Sequence, residues 1–296
     1  MKKIQCHIID TYEDFLTFWT NSKSKDVDEQ VSLWQVGYMK KYPELLTKQI
    51  KNYEEMNIDW QDVAKKTMRL LPQRLKLMQT ARDNILQVCK PIYTEATERL
   101  GLDFNVTFTV YVGIGCGAGW ATTYDNQPAV LLGLENIAEE KWHTKTKLQG
   151  LISHEIGHLA HMKWRNTWES FDKACDNPFF RLYTEGFATR CEQLILGKES
   201  WHMAPGKGWR SWCRQHKNWL AKEFLKRLEK QAPVNDFFGS WFSIQGRKQT
   251  GYFLGHGFIY ELEKTYAWRD IALLDTDTVG RRCKKYLRSI SVETDK

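Results

Sequence analysis

The sequence predicts an α+β fold that is mostly helical, with a small sheet. Three observations predict it. Apolar residues recur at helical spacing through most of residues 27–99 and again after residue 145. Short alternating, β-branched segments stand at 3–9, 104–114 and 128–135. The character of the chain changes near residue 100, from helical to mixed, which places a helical N-terminal part at 1–100 and an α+β part at 101–296.

The elements follow in order. KIQCHII (3–9) reads as a short strand. Helical segments are expected at 27–41, 43–57, 60–71 and 73–99, with Pro43, Pro72 and Pro91 as breaks and Gly101 as a stop. FNVTFTVYVGIG makes a strand over 104–114. GCGAGWATTYDNQ reads as a glycine-rich loop or irregular edge, and PAVLLGLE (128–135) as a second strand. Helices are then expected at 145–162, 178–196, 209–230 and 250–266, with loops at 197–209 and 232–249 and short helices to finish.

Composition excludes several classes. With 42% hydrophobic residues, 27% charged residues and only 7 Pro and 19 Gly in 296, the chain is neither disordered, fibrous nor of low complexity. No apolar run is long enough for a membrane span. The start, MKKIQCHIIDTYEDF, lacks an unbroken apolar stretch and does not read as a secretory signal. Seven scattered cysteines without a CxxC pair read as reduced thiols, so a cytoplasmic location is expected. The net charge of +7 is concentrated in 207–230 and after Arg281, where the bland reading is a solvated helix face.

The strongest signal is His154-Glu155-Ile156-Gly157-His158, an HExxH on a helix. Residues i and i+4 share one helix face, so two imidazoles can meet one metal. Glu155 sits beside that face, placed to take the proton of a metal-held water. Zinc suits such a site because its catalytic centres combine three protein ligands with an open position. By chance the motif arises in on the order of one per cent of chains this size. Leu148, Leu151, Ile152, Leu159 and Met162 supply the buried stripe of the helix, and Gly157 allows close approach of another element.

A third ligand must come from elsewhere. Glu185, 27 positions after His158 and on the next helix, is the best candidate; small Gly186 and Ala188 are expected to bring that helix against the HExxH helix. Glu169, Asp172, Asp176 and Glu192 are rivals. His161 lies ~10 Å along the axis from His154, so all three histidines cannot reach one ion; it reads as a supporting or exposed residue.

HEIGH followed by TEGFA resembles the gluzincin group of zinc metallopeptidases. GYFLGHGFIYELEKTY is similar to the GYxxG-type helix of the YjaZ-like family of predicted bacterial zinc proteases, as is the order of parts over roughly 104–275. The resemblance implies a zincin-like metallopeptidase domain, one zinc per chain and hydrolysis of peptide bonds. It implies His154, His158 and Glu185 as ligands and Glu155 as general base. Two departures stand out: the interval from His158 to Glu185 is long, and position 189, acidic in several gluzincins, is Thr.

Beside the resemblance, Tyr252 and His256 share a face of the 250–266 helix and are candidates to stabilise the oxyanion. Gly113–Tyr124 is a candidate edge for an extended peptide. It is not a phosphate loop, since no GK[ST] follows. Cys116 as a nucleophile has no readable His partner. The loop at 197–209, with Trp201, His202 and Trp209, is a lid or a connector.

A peptidase acting on a peptide or protein substrate therefore ranks first. A metal-binding regulatory or interaction protein with restricted or lost proteolysis ranks second. A nucleic-acid binder using Trp209, Trp212 and Trp219 with Arg210, Arg214 and Lys217 ranks third.

Overall fold

The structure, a computed structural model, describes residues 4–168, 170–239 and 241–292. By its contacts the chain divides into two compact units, residues up to Glu155 and residues from Ile156. The division falls inside one continuous helix.

In the first unit, β1 (Cys6–Asp10) leads to α1 (Tyr12–Ser22), α2 (Val27–Leu33), α3 (Pro43–Glu55) and α4 (Trp60–Leu100). Then come β2 (Val106–Tyr111), β3 (Trp120–Tyr124), β4 (Gln127–Gly133) and α5 (Leu134–Glu139). The strands form one mixed sheet in the order β1-β2-β4-β3. β1 and β4 run parallel to β2, and β3 pairs antiparallel with β4. The segment before residue 100 is thus joined to the later strands by β1, whose Ile8 aligns with Phe108. All six residues of β2 are buried, as a central strand covered on both faces requires.

Two helical expectations are corrected here. The segment 27–41 is not one α-helix: α2 passes into a π turn at Trp34–Tyr38 and a 3-10 turn at Met39–Lys41. The wide turn aims two buried rings at the end of β2. Trp34 Nε1 donates to Val112 O at 3.1 Å, and the Tyr38 hydroxyl accepts from Val112 N at 3.1 Å. Pro72 and Pro91 do not break the next helix. α4 runs 41 residues through both. Each ring lies on the exposed face, while Met68, Leu71, Met78, Ala81, Ile85 and Val88 keep one stripe buried along the helix. That burial offsets the ~3 kcal/mol an interior proline costs. Gly101 ends α4 with φ +65°, in the left-handed region where glycine is free of strain.

The dividing helix is α6 (Lys145–Arg165). The second unit continues with α7 (Phe171–Ala174), α8 (Pro178–Leu196), α9 (Trp209–Gln215), α10 (Lys217–Glu229), α11 (Thr250–Leu262), α12 (Trp268–Ala272) and α13 (Thr276–Ser291). The helix expected over 209–230 is two, because His216 leaves helical geometry. Its ring stacks on Trp212 at 4.2 Å and its Nδ1 bonds Trp212 O, which holds the corner. Within this unit α8 is the central helix, covered by α11 and by α13. Among the described residues, no helix is long and apolar enough to cross a membrane.

Candidate metal centre

α6 carries His154, Glu155, His158 and His161 on successive turns, and at its start the Thr144 hydroxyl accepts from Lys147 N at 3.4 Å. α8 begins at Pro178, with the Asn177 side chain accepting from Phe179 N and Phe180 N. Glu185 therefore lies two turns inside α8 rather than at its exposed start.

Gly157 and α8 meet closely. A Cβ at Gly157 would stand 2.7 Å from Cys191 Cβ and 3.0 Å from Ala188 Cα. Ala188 faces α6 as expected. Gly186 does not: a Cβ there would stand 2.2 Å from the backbone of Gly255 on α11. Two positions apart on a helix is about 200° of rotation, so Gly186 and Ala188 serve opposite neighbours.

The result of this packing is a group of ligand-type atoms. One atom each from His154, His158 and Glu185 lie within 4.8 Å of one another. His158 Nε2 stands 3.5 Å from Glu185 Oε2. Two ligands of a tetrahedral zinc are roughly 3.4 Å apart, so the donor set and its spacing fit that ion. Among the rivals, Asp176 is exposed, and Glu169 and the Asp172 side chain lie outside the described residues. Glu192 belongs to a second group, with His154 and His202, whose atoms also lie within 4.8 Å.

Glu155 is held from the sheet side. Its Oε2 accepts from Ala121 N of β3 at 3.1 Å, and a Cβ at Gly119 would stand 2.6 Å from its carboxylate. The glycine-rich loop before β3 is fixed in turn. Glu135 Oε2 accepts from Gly113 N at 2.8 Å and its Oε1 from Gly115 N at 3.1 Å. Asn136 Oδ1 accepts from Gly117 N at 3.2 Å, and Gln49 Oε1 accepts from Ile114 N at 3.2 Å. Gly115 and Gly117 take φ +96° and +144°, which a side chain would strain. The N–H groups of Gly113, Ile114, Gly115 and Gly117 are thus spent on side chains. Glu135 and Gln49 carry no local sequence signal; their role emerges from contacts 20 to 65 residues apart.

His161 is not exposed. It is fully buried among Phe171, Tyr183 and Phe187, with ring centroids at 5.2, 4.9 and 4.5 Å. Burial first, then the Arg165 charge, drives its pKa well below the usual histidine range, so it is neutral. His256 Nε2 donates to Gln193 Oε1 at 3.0 Å and packs on Trp201. Tyr252 is half-buried and meets the Phe238 ring edge-on. Burial of Cys116 pushes its thiol up to about 12, and its Sγ donates to Gln49 O, so it is a protonated packing residue. Two of the three tryptophans considered for nucleic acid are engaged internally: Trp209 is buried and donates to Lys248 O, and Trp212 contacts His216 and Arg247.

Burial and the Arg190 charge pull the His256 pKa down to about 4. An unfolded histidine titrates near 6.5. The unfolded chain therefore takes up a proton first as pH falls. Stability present above about pH 6.5 is lost toward pH 4, by about 3 kcal/mol for this residue. Urea unfolding of metal-free protein should show a flatter acid limb in His256→Gln; an unchanged limb contradicts this assignment.

Compared with known proteins, the chain matches no family model, no curated protein and no solved structure.

Proposed function

We propose that the protein is a zinc-dependent peptidase, a hydrolase with a zincin-like arrangement and one zinc per chain. The observation that supports this is the convergence of His154, His158 and Glu185 atoms with Glu155 held beside them on the same helix. Zinc, when bound by those three residues, supplies Lewis-acid stabilisation of the scissile carbonyl. Glu155 takes the proton of the attacking water and returns it to the leaving amine. Tyr252 is the candidate donor to the developing oxyanion, on the helix that crosses α8 at Gly186 and Gly255. His256 is the weaker candidate, since its Nε2 is engaged by Gln193.

β3 supports a peptide or protein substrate. It has β4 on one side and, among the described residues, no strand on the other. The turn Asp125-Asn126 has φ +50° and +56°, and Tyr124 aligns with Gln127. In that register Ala121 and Thr123 turn their backbone groups away from β4. An extended chain can add there. Seven free cysteines suit a reducing, cytoplasmic setting.

Metal content tests the reading. Purified wild type should hold about one zinc per chain, and Glu185→Ala should lose it. Full retention in the variant moves the third ligand elsewhere. A narrower reading keeps the metal and restricts cleavage to one partner protein. It is favoured by one contact: Ala121 N–H, which an extended peptide would use, is already taken by Glu155.

A further inference from the structure

We propose that the outer face of α13 binds the phosphate backbone of duplex nucleic acid. The excess positive charge of the chain lies in two stretches, and they fold differently. In the first, Arg210 pairs with Glu199, Lys226 and Arg227 with Glu223, and Arg227 also with Asp236. In the second, from Arg281 to Val292, the sequence holds five Lys/Arg and no Asp or Glu. Arg281, Arg282, Lys284, Lys285 and Arg288 are all exposed on α13. Arg281 Nη2 donates to the Thr278 hydroxyl at 2.9 Å and Arg282 lies over the Tyr266 ring, but among the described residues none of the five forms an ion pair.

Their spacing makes a row. Val279, Cys283, Tyr286 and Leu287 form the buried stripe of α13. Arg281, Lys285 and Arg288 recur at i, i+4 and i+7 on the side opposite that stripe, and Arg282 and Lys284 flank them. At 1.5 Å per residue the row is about 10 Å long. Like charges one turn apart destabilise a helix, and an anion laid along the row removes that repulsion. The acids of α13, Asp275 and Asp277, stand at its start, where Asp275 accepts from Thr278 N at 2.8 Å.

A duplex is the polyanion this face fits. It carries one negative charge per ~1.7 Å of axis, which a row of cations on a packed helix meets at several points at once. Three of the five cations are arginines, whose planar fork matches a phosphate. A single strand calls for exposed rings on which bases stack, and the one ring of this helix, Tyr286, is buried. A membrane-surface helix lays its apolar face in lipid, and that of α13 is spent within the protein, where the helix packs against α8, α10 and α11. Contacts to phosphate alone carry no base preference, so binding is indifferent to sequence. The inference stands apart from the zinc reading.

The test is fluorescence anisotropy of a labelled mixed-sequence duplex DNA of about 20 base pairs, titrated with the full chain between about 50 and 200 mM KCl. With five phosphates engaged, log K against log salt should fall with a slope of about −4 to −5. Arg281→Gln/Lys285→Gln/Arg288→Gln should flatten the slope to about −2 and weaken binding by about 100-fold at ~100 mM KCl. Lys23→Gln/Lys40→Gln/Lys198→Gln removes as much charge from scattered exposed positions and should leave the slope as in wild type. All six side chains are exposed, so both variants should melt with wild type. Absence of duplex binding at the lowest salt overturns the proposal. So does an equal loss in the two variants, which would make the attraction one of net charge alone. Vesicles of phosphatidylcholine with and without phosphatidylserine are the second probe. Binding to the anionic vesicles but not to the duplex assigns the face to lipid and overturns the proposal as well. Zinc content and peptide cleavage should be unchanged in both variants, so none of these outcomes touches the peptidase reading.

Discussion

Glu155→Gln should keep about one zinc per chain and lose peptide cleavage by about 10²–10⁴-fold, the usual contribution of a general base. The substitution preserves size. The amide oxygen of Gln can still accept from Ala121 N, so the contact to β3 survives. What disappears is the capacity to take and return a proton. Mass-spectrometric reading of a pooled peptide library at neutral pH, with wild type and variant loaded with zinc side by side, makes the comparison. Cleavage by wild type alone supports the assignment. Equal cleavage by both sinks it. Silence from both, with zinc bound, moves the balance to a metal-binding protein whose proteolysis is restricted or lost.

Gly186→Ala should produce the largest loss of stability of any single methyl group added to α8. Its Cβ would stand 2.2 Å from the carbonyl carbon and oxygen of Gly255, and 2.8 Å from its Cα. These are backbone atoms, so no side chain can swing aside and the two helices must part. Overpacking of this kind costs typically 1–3 kcal/mol and occasionally more. At ~2–4 °C per kcal/mol for large domains, the melting temperature should fall by several degrees. Glu185 is the next residue along, so zinc affinity should fall with it. Gly280→Ala on α13 is the control. Its nearest neighbour would be Phe179 Cδ2 at 3.9 Å, an ordinary contact. There the variant should gain up to about 1 kcal/mol from helix propensity. Thermal and urea unfolding of the two variants, read together, decide whether the α8–α11 contact is as close as described; a neutral Gly186→Ala would show that it is not.

Much of the candidate site was legible because it is periodic. His154 and His158 are one turn apart on a helix whose buried stripe was visible in Leu148, Leu151, Ile152, Leu159 and Met162. The helix over 178–196 could be read from Pro178 at its start and Gly197 at its end, and α8 has those bounds with Gly197 at φ +63°. The misreadings share one physical cause. Pro72 and Pro91 are local breakers, but a 41-residue helix with one buried stripe outweighs them. The corner at His216 is set by a ring stacked on Trp212, not by any breaker residue. His161 looked polar enough to face solvent, and its cage of Phe171, Tyr183 and Phe187 forms only when α6, α7 and α8 meet.

Spacing within one or two turns is a property of the chain itself, since the 3.6-residue repeat carries the geometry. For this protein it determined the two histidines on one face, the carboxylate beside them, and a glutamate on the following helix as the candidate partner. Contacts between distant segments carry no such repeat. Tertiary structure alone decided that Glu192 takes the loop residue His202 as its partner, that Gly186 belongs to α11 and Ala188 to α6, and that the Glu155 carboxylate rests on Ala121 N, 34 residues earlier in the chain. Those placements depend on which buried faces find each other, and packing settles that for the whole chain at once.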